Sequence, residues 1–158
     1  MTENITKNNP QLRLQTDIIG FGPEPCQGAE VGQVLTITAA GEVKLERDFY
    51  ARDVSDALVK TQVKSISVQA AQSLTEEVAE ITENNFSFNV LTTDVGTWQI
   101  ELLSRRLVKR TRGSVLPLAN ADPLRQWEVT ARRTLGFKRL FLFDGGYYRY
   151  QTIQDISR

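Results

Sequence analysis

Apolar and polar residues alternate with a period of two in several separated runs, and each run predicts a strand with one face turned to a core. Leu12, Leu14 and Thr16, ending in Ile18 and Ile19, make the first. Val34, Leu35 and Ile37 lead through Ala39-Ala40-Gly41-Glu42 into Val43, Leu45 and Phe49, and the Gly-containing turn makes this the clearest hairpin in the chain. Tyr50 to Thr61 carries mixed signals, after which Val63, Ser65 and Ile66 add a short strand. Phe86, Phe88 and Val90 alternate, and beyond Thr93-Asp94-Val95-Gly96 the pattern resumes with Trp98, Ile100 and Leu102 facing in while Gln99 and Glu101 face out. Carried past Ser104, the same parity would bury Arg106 and Arg110, so the strand ends there or changes parity through a bulge. Leu140, Phe141, Leu142 and Phe143 run into Asp144-Gly145-Gly146 and then Tyr147, Tyr148 and Tyr150, which predicts a hairpin about a Gly-rich turn.

Two segments switch to the helical period. Ser67 is the expected N-cap of a helix reaching Asn84 or Asn85, with Val68, Ala71, Leu74, Val78 and Ile81 on one face and Glu76, Glu80 and Glu83 on the opposite one. Asp122-Pro123 is a strong helix start, Leu124, Trp127, Ala131 and Leu135 form the apolar stripe, and Gly136 supplies the stop. Gly20 to Gly32, with four glycines and two prolines, reads as a surface loop. The order of elements predicts the α+β class, a mainly antiparallel sheet of about six to eight strands with two amphipathic helices packed on it. We expect a flexible tail over residues 1–11 and a single domain over 12–158, without repeats.

Composition narrows the chemistry. The 158 residues contain no histidine, which removes Ser-His-Asp and Cys-His nucleophiles and most catalytic zinc arrangements. Carboxylate or magnesium-dependent mechanisms survive, with Asp94 and Asp144 as the only residues to name for them; the Asp144-Gly145-Gly146 turn explains those three residues without a metal. Cys26 is the single cysteine, so there is no intramolecular disulfide, and with no histidine beside it a nucleophilic role is not expected. The first eleven residues hold no signal-like apolar stretch and no later run approaches the length of a spanning helix, so a cytoplasmic protein without membrane contact is expected. Neither a phosphate loop nor a dinucleotide fingerprint is present, and no cofactor is expected. Glu76, Glu77, Glu80 and Glu83 read as a solvated face.

The formal charge of zero hides a division. Residues 1–104 hold seven Lys or Arg against fifteen Asp or Glu, and residues 105–158 hold twelve against four. Arg105, Arg106, Lys109, Arg110 and Arg112 cluster within eight residues, and Arg125, Arg132 and Arg133 project from the second helix on the side away from its apolar stripe. Arg105, Arg106, Lys109, Arg110, Arg112, Arg132 and Arg133 are therefore the candidate anion- or partner-binding residues, the other reading being that the basic stretches face the acidic helix and the front-half carboxylates and neutralise them within the fold or across an oligomer. The expectation is a non-catalytic interaction module, with a self-associating dimer as one form, acting through this basic surface or through the aromatic C-terminal strands. Nucleic-acid or phosphate binding and a carboxylate-metal enzyme are the alternatives, and the sequence pI near 6.3 weighs against a dedicated nucleic-acid module. Phe137 to Phe143 mixes aromatic and basic residues but lacks the internal glycine of an RNA-binding strand.

Overall fold

A computed structural model describes residues 10–19, 24–84, 95–103, 108–147 and 151–152. The strands are β1 (Pro10–Asp17), β2 (Ala29–Thr38), β3 (Glu42–Phe49), β4 (Leu58–Ser65), β5 (Thr97–Leu103), β6 (Val108–Ser114) and the short β7 (Gln151–Thr152). The helices are α1 (Val68–Asn84) and α2 (Pro123–Leu135). Six strands form one antiparallel sheet in the order β4-β3-β2-β1-β5-β6, and β7 adds a brief pairing with the start of β2. This is the expected α+β architecture.

Period-two patterning sorts the sheet into two faces. Leu12 and Leu14, Leu35 and Ile37, Val43 and Leu45, and Trp98 and Ile100 all point to one side. There they meet Ala71, Leu74 and Val78 of α1 and Leu124, Trp127, Ala131 and Leu135 of α2 in a single core. Each fully buried Leu or Ile contributes about 1.5–3 kcal/mol of burial energy, so this one-sided stripe fixes the register as well as the fold.

Local signals stop the elements where expected. Gly41, at φ 88°, closes the β2–β3 turn; a Cβ there would lie 2.2 Å from the carbonyl oxygen of Ile66. Ser67 Oγ accepts from Ala70 N (3.0 Å) and Asp122 Oδ1 from Leu124 N (2.9 Å), while Gly136 ends α2 in the left-handed conformation. Val68, expected on the apolar face of α1, is exposed at the first helical position.

Several expectations are corrected. Ala29–Gly32 belongs to β2 rather than to a surface loop, because a bulge between Glu30 and Gly32 lets the strand continue to pair with β3. The short strand at Val63 is the eight-residue β4, hydrogen-bonded to β3 along its length although its side chains are mostly exposed. Beyond Leu103 the chain supplies a further strand, β6, paired with β5. The alternation at Phe86, Phe88 and Val90 lies outside the described residues. The predicted C-terminal hairpin is absent over its first arm: Arg139 (φ 58°) and Leu142 (φ 45°) are left-handed, which breaks any strand, and a short helical turn follows at Gly145–Tyr147.

Candidate functional site

The segment Phe137 to Gly146 runs as a strap across the covered face of the sheet, with Leu140, Phe141, Leu142 and Phe143 almost wholly buried. A buried segment outside the ladder must find partners for its backbone. It finds them in side chains. On the covered face, the row next to the Leu14, Leu35 and Leu45 row is polar: Thr16 on β1, Gln33 on β2 and Arg47 on β3 are paired neighbours. Arg47 donates to the carbonyls of Lys138 and, at 3.2 Å, Arg139. Gln33 donates to Arg139 O (2.7 Å) and accepts from Phe141 N (2.9 Å), and Thr16 donates to Leu142 O (2.5 Å).

Two charged clusters anchor this strap. At its first end Arg47 meets Glu30 at 3.0 Å, both side chains being essentially inaccessible to solvent, and Gln33 donates to the same Glu30 Oε1 at 2.8 Å. Burial pushes the Glu30 carboxyl up while Arg47 pulls it down, and Oε2 has no hydrogen-bond partner among the described residues. At the other end Glu128 of α2 and Asp144 of the strap, both with fully buried side chains, are held between Arg125 and Arg132. Glu128 Oε1 accepts from Phe143 N (3.0 Å), Asp144 Oδ1 accepts from Gly146 N (2.6 Å), and Arg132 also donates to Leu140 O (3.1 Å). Burial, followed by the neighbouring Asp144, raises the Glu128 carboxyl to about 7.

These contacts place the candidate residues. Arg125 and Arg132, expected on the outer side of α2, instead fold over its end of the strap as half-buried partners of Glu128 and Asp144. Arg133 is exposed. Lys109 points to the covered side and meets Glu83 of α1 at 3.6 Å. Arg110 and Arg112 lie on the opposite face, Arg110 near Glu101 at 3.5 Å, itself 3.6 Å from Arg13. Arg105 and Arg106 fall outside the described residues, as does Asp94. The structure thus brings Arg110 and Arg112 together on β6 and separates them from Arg132 and Arg133, which sit in the layer beyond the sheet. The acidic and basic halves meet at Glu83–Lys109 and Glu101–Arg110. Phe137, Phe141 and Phe143 are core residues, while Tyr148 and Tyr150 lie outside the described residues.

Both helices and the strap occupy one side, so the other face of the sheet is uncovered by them. It carries Arg13, Gln15 and Asp17, Val34 and Thr36, Lys44, Glu46 and Asp48, all half-exposed. Asp17 and Asp48 converge over Gly32, their oxygens 2.8 and 3.4 Å from where a Cβ on that glycine would stand. Burial raises both carboxyls, and Asp17 beside it raises Asp48 further. Among the described residues no third His, Cys, Asp or Glu side chain completes a metal-binding group there. Cys26 is exposed, and no described helix is long and apolar enough to cross a membrane. Of the polar covered row only Thr16 stood in the predicted inward run; Gln33, Arg47 and Glu128 escaped it, and continuing the inward parity of Val43-Leu45 by one step reaches Arg47. Comparison with models of known protein families and with curated proteins finds no match.

Proposed function

We propose that the protein is a non-catalytic binding module that presents the uncovered face of its sheet, with the edges framing it, to a macromolecular partner. One observation carries this reading: the buried charged groups are already engaged. Arg47 holds Glu30 and the carbonyls of the strap, while Glu128 and Asp144 hold two arginines and strap amides. A catalytic carboxylate must be able to reach substrate, and these face the interior. By contrast, the opposite face offers a broad, half-exposed set of side chains on a rigid hydrogen-bonded platform, and such platforms bind partners with little ordering cost.

The test is capture of partners from a cell extract by the wild-type chain and by Val34→Arg, which places a charge at the centre of the uncovered face. Loss of the captured set with an unchanged unfolding midpoint supports the reading. An unchanged set overturns it.

A second reading has its own support. Arg112 is exposed and makes no ion pair among the described residues, and Arg110 beside it is largely exposed although near Glu101, so β6 offers cationic side chains to a polyanion. It predicts binding of a labelled polynucleotide at about 50 mM salt, weakening steeply as salt rises, with the salt slope reduced by about 2 in the double variant Arg110→Ser, Arg112→Ser. Absence of binding at that salt removes it.

A further inference from the structure

The sheet has two long free edges among the described residues, β4 and β6, and a strand edge is a template for another strand. We propose that β4 recognises β4 of a second copy, the two strands pairing antiparallel about a two-fold axis through Thr61. The inference rests on the binding-module reading and names one partner for it.

A two-fold axis perpendicular to a sheet keeps each face on its own side, so only registers pairing residues of the same parity are allowed. Two such registers engage seven of the eight β4 residues, Leu58 to Lys64 or Val59 to Ser65. The one centred on Gln62 sets Lys60 against Lys64 of the second copy. The one centred on Thr61 opposes no like charges: Val59 meets Val63, Thr61 meets Thr61, Lys60 meets Gln62 and Leu58 meets Lys64. It covers the most exposed apolar side chains of the sheet, Val63 at 60% and Val59 at 56%, together with Leu58 at 41%. β-Branched pairs of this kind are favourable across strands.

Lys64 of β4 does not guard it. Lys64 Nζ donates to Gly136 O at 2.9 Å and stands 4.7 Å over the Phe137 ring, so its charge is directed back to the C-terminal end of α2. The other edge is guarded. Every two-fold register engaging five or more residues of β6 sets Arg110 against Arg112, or one of them against itself. The formal net charge of zero leaves no long-range repulsion between copies. Pairing of one eight-residue edge is smaller than a standard interface of roughly 1,600 Å², so the dimer is expected to be weak, with a dissociation constant on the order of tens of micromolar.

Sedimentation velocity of the full chain between about 5 and 500 μM tests this. The expected result is a monomer shifting to a dimer and stopping there. Thr61→Lys, at an exposed position, is expected to abolish the shift, and an equimolar mixture of Thr61→Lys with Thr61→Glu to restore it, while Arg110→Ser leaves it intact. The restoration shows that both variants fold. A monomer throughout, a dimer that survives Thr61→Lys, or growth into larger oligomers overturns the inference. A monomer throughout leaves the binding-module reading standing, because the Val34→Arg capture experiment tests that separately.

Discussion

The β2–β3 hairpin and the strap from Phe137 to Gly146 meet in the same core, and their backbones are satisfied by opposite means. In the hairpin, main chain bonds main chain along an unbroken register from Gly32↔Asp48 to Ile37↔Val43. Its side chains are left to do the packing, and Leu35, Ile37, Val43 and Leu45 do so. In the strap the carbonyls of Lys138, Arg139, Leu140 and Leu142 and the amides of Phe141 and Phe143 are bonded by side chains from β1, β2, β3 and α2. A ladder tolerates many sequences, because the backbone supplies it. A strap held this way depends on particular side chains, each of which leaves buried polar groups stranded when removed.

The largest test of that difference is Arg47→Met. It strips a buried guanidinium from Glu30 and from two strap carbonyls, so a loss of about 3–5 kcal/mol is expected in urea unfolding. Ile37→Val, a ladder position of equal burial, is expected to lose about 0.5–1.5 kcal/mol. Equal losses would show that the strap is no more dependent on side chains than the hairpin.

pH sharpens the same contrast. Glu128 is raised to about 7 from an ordinary 4.5, so in the folded protein it keeps its proton over a range where the unfolded chain has released it. Its contribution is therefore full below about pH 4.5 and lost as pH rises through about 7, a span of about 3 kcal/mol. Unfolding midpoints at pH 5 and pH 8 are expected to differ more in the wild-type protein than in Glu128→Gln, which cannot titrate. Equal pH dependence in the two proteins would remove Glu128 as the cause.

Among the polar contacts of the strap the smallest expected effect is at Thr16→Val, which leaves Leu142 O without its 2.5 Å donor and is expected to cost about 1–2 kcal/mol. Thr16→Ser, which keeps the hydroxyl, is expected to recover about half or more of that loss. If valine matches the wild type, the Thr16–Leu142 bond contributes nothing and apolar packing suffices at that point of the strap.

Much of the scaffold was legible in the sequence. Alternation located β1, β5 and the β2–β3 hairpin, and capping residues Ser67, Asp122 and Gly136 bounded both helices. Less of the candidate site was legible. β4 reads poorly because an edge strand exposes both faces and shows no apolar alternation, and β6 because arginine and lysine dominate a strand whose outer side meets solvent. Leu140 to Phe143 looks like a strand because burial demands the same residues whatever the backbone does. The left-handed angles at Arg139 and Leu142 have no signature in residue type.

Composition by itself determined the absence of histidine chemistry, and the charge division assigned acid to the front of the chain and base to the back. Periodicity determined an α+β fold with one apolar face on β1, β2, β3 and β5. Only the tertiary structure decided which charges meet, because Arg132 reaches Asp144 and Lys109 reaches Glu83 through pairings that no local spacing encodes. It also decided which surfaces remain open. Burial is a property of the assembled layers, and a strand pattern becomes a covered face, an open face or an edge only when its neighbours are in place.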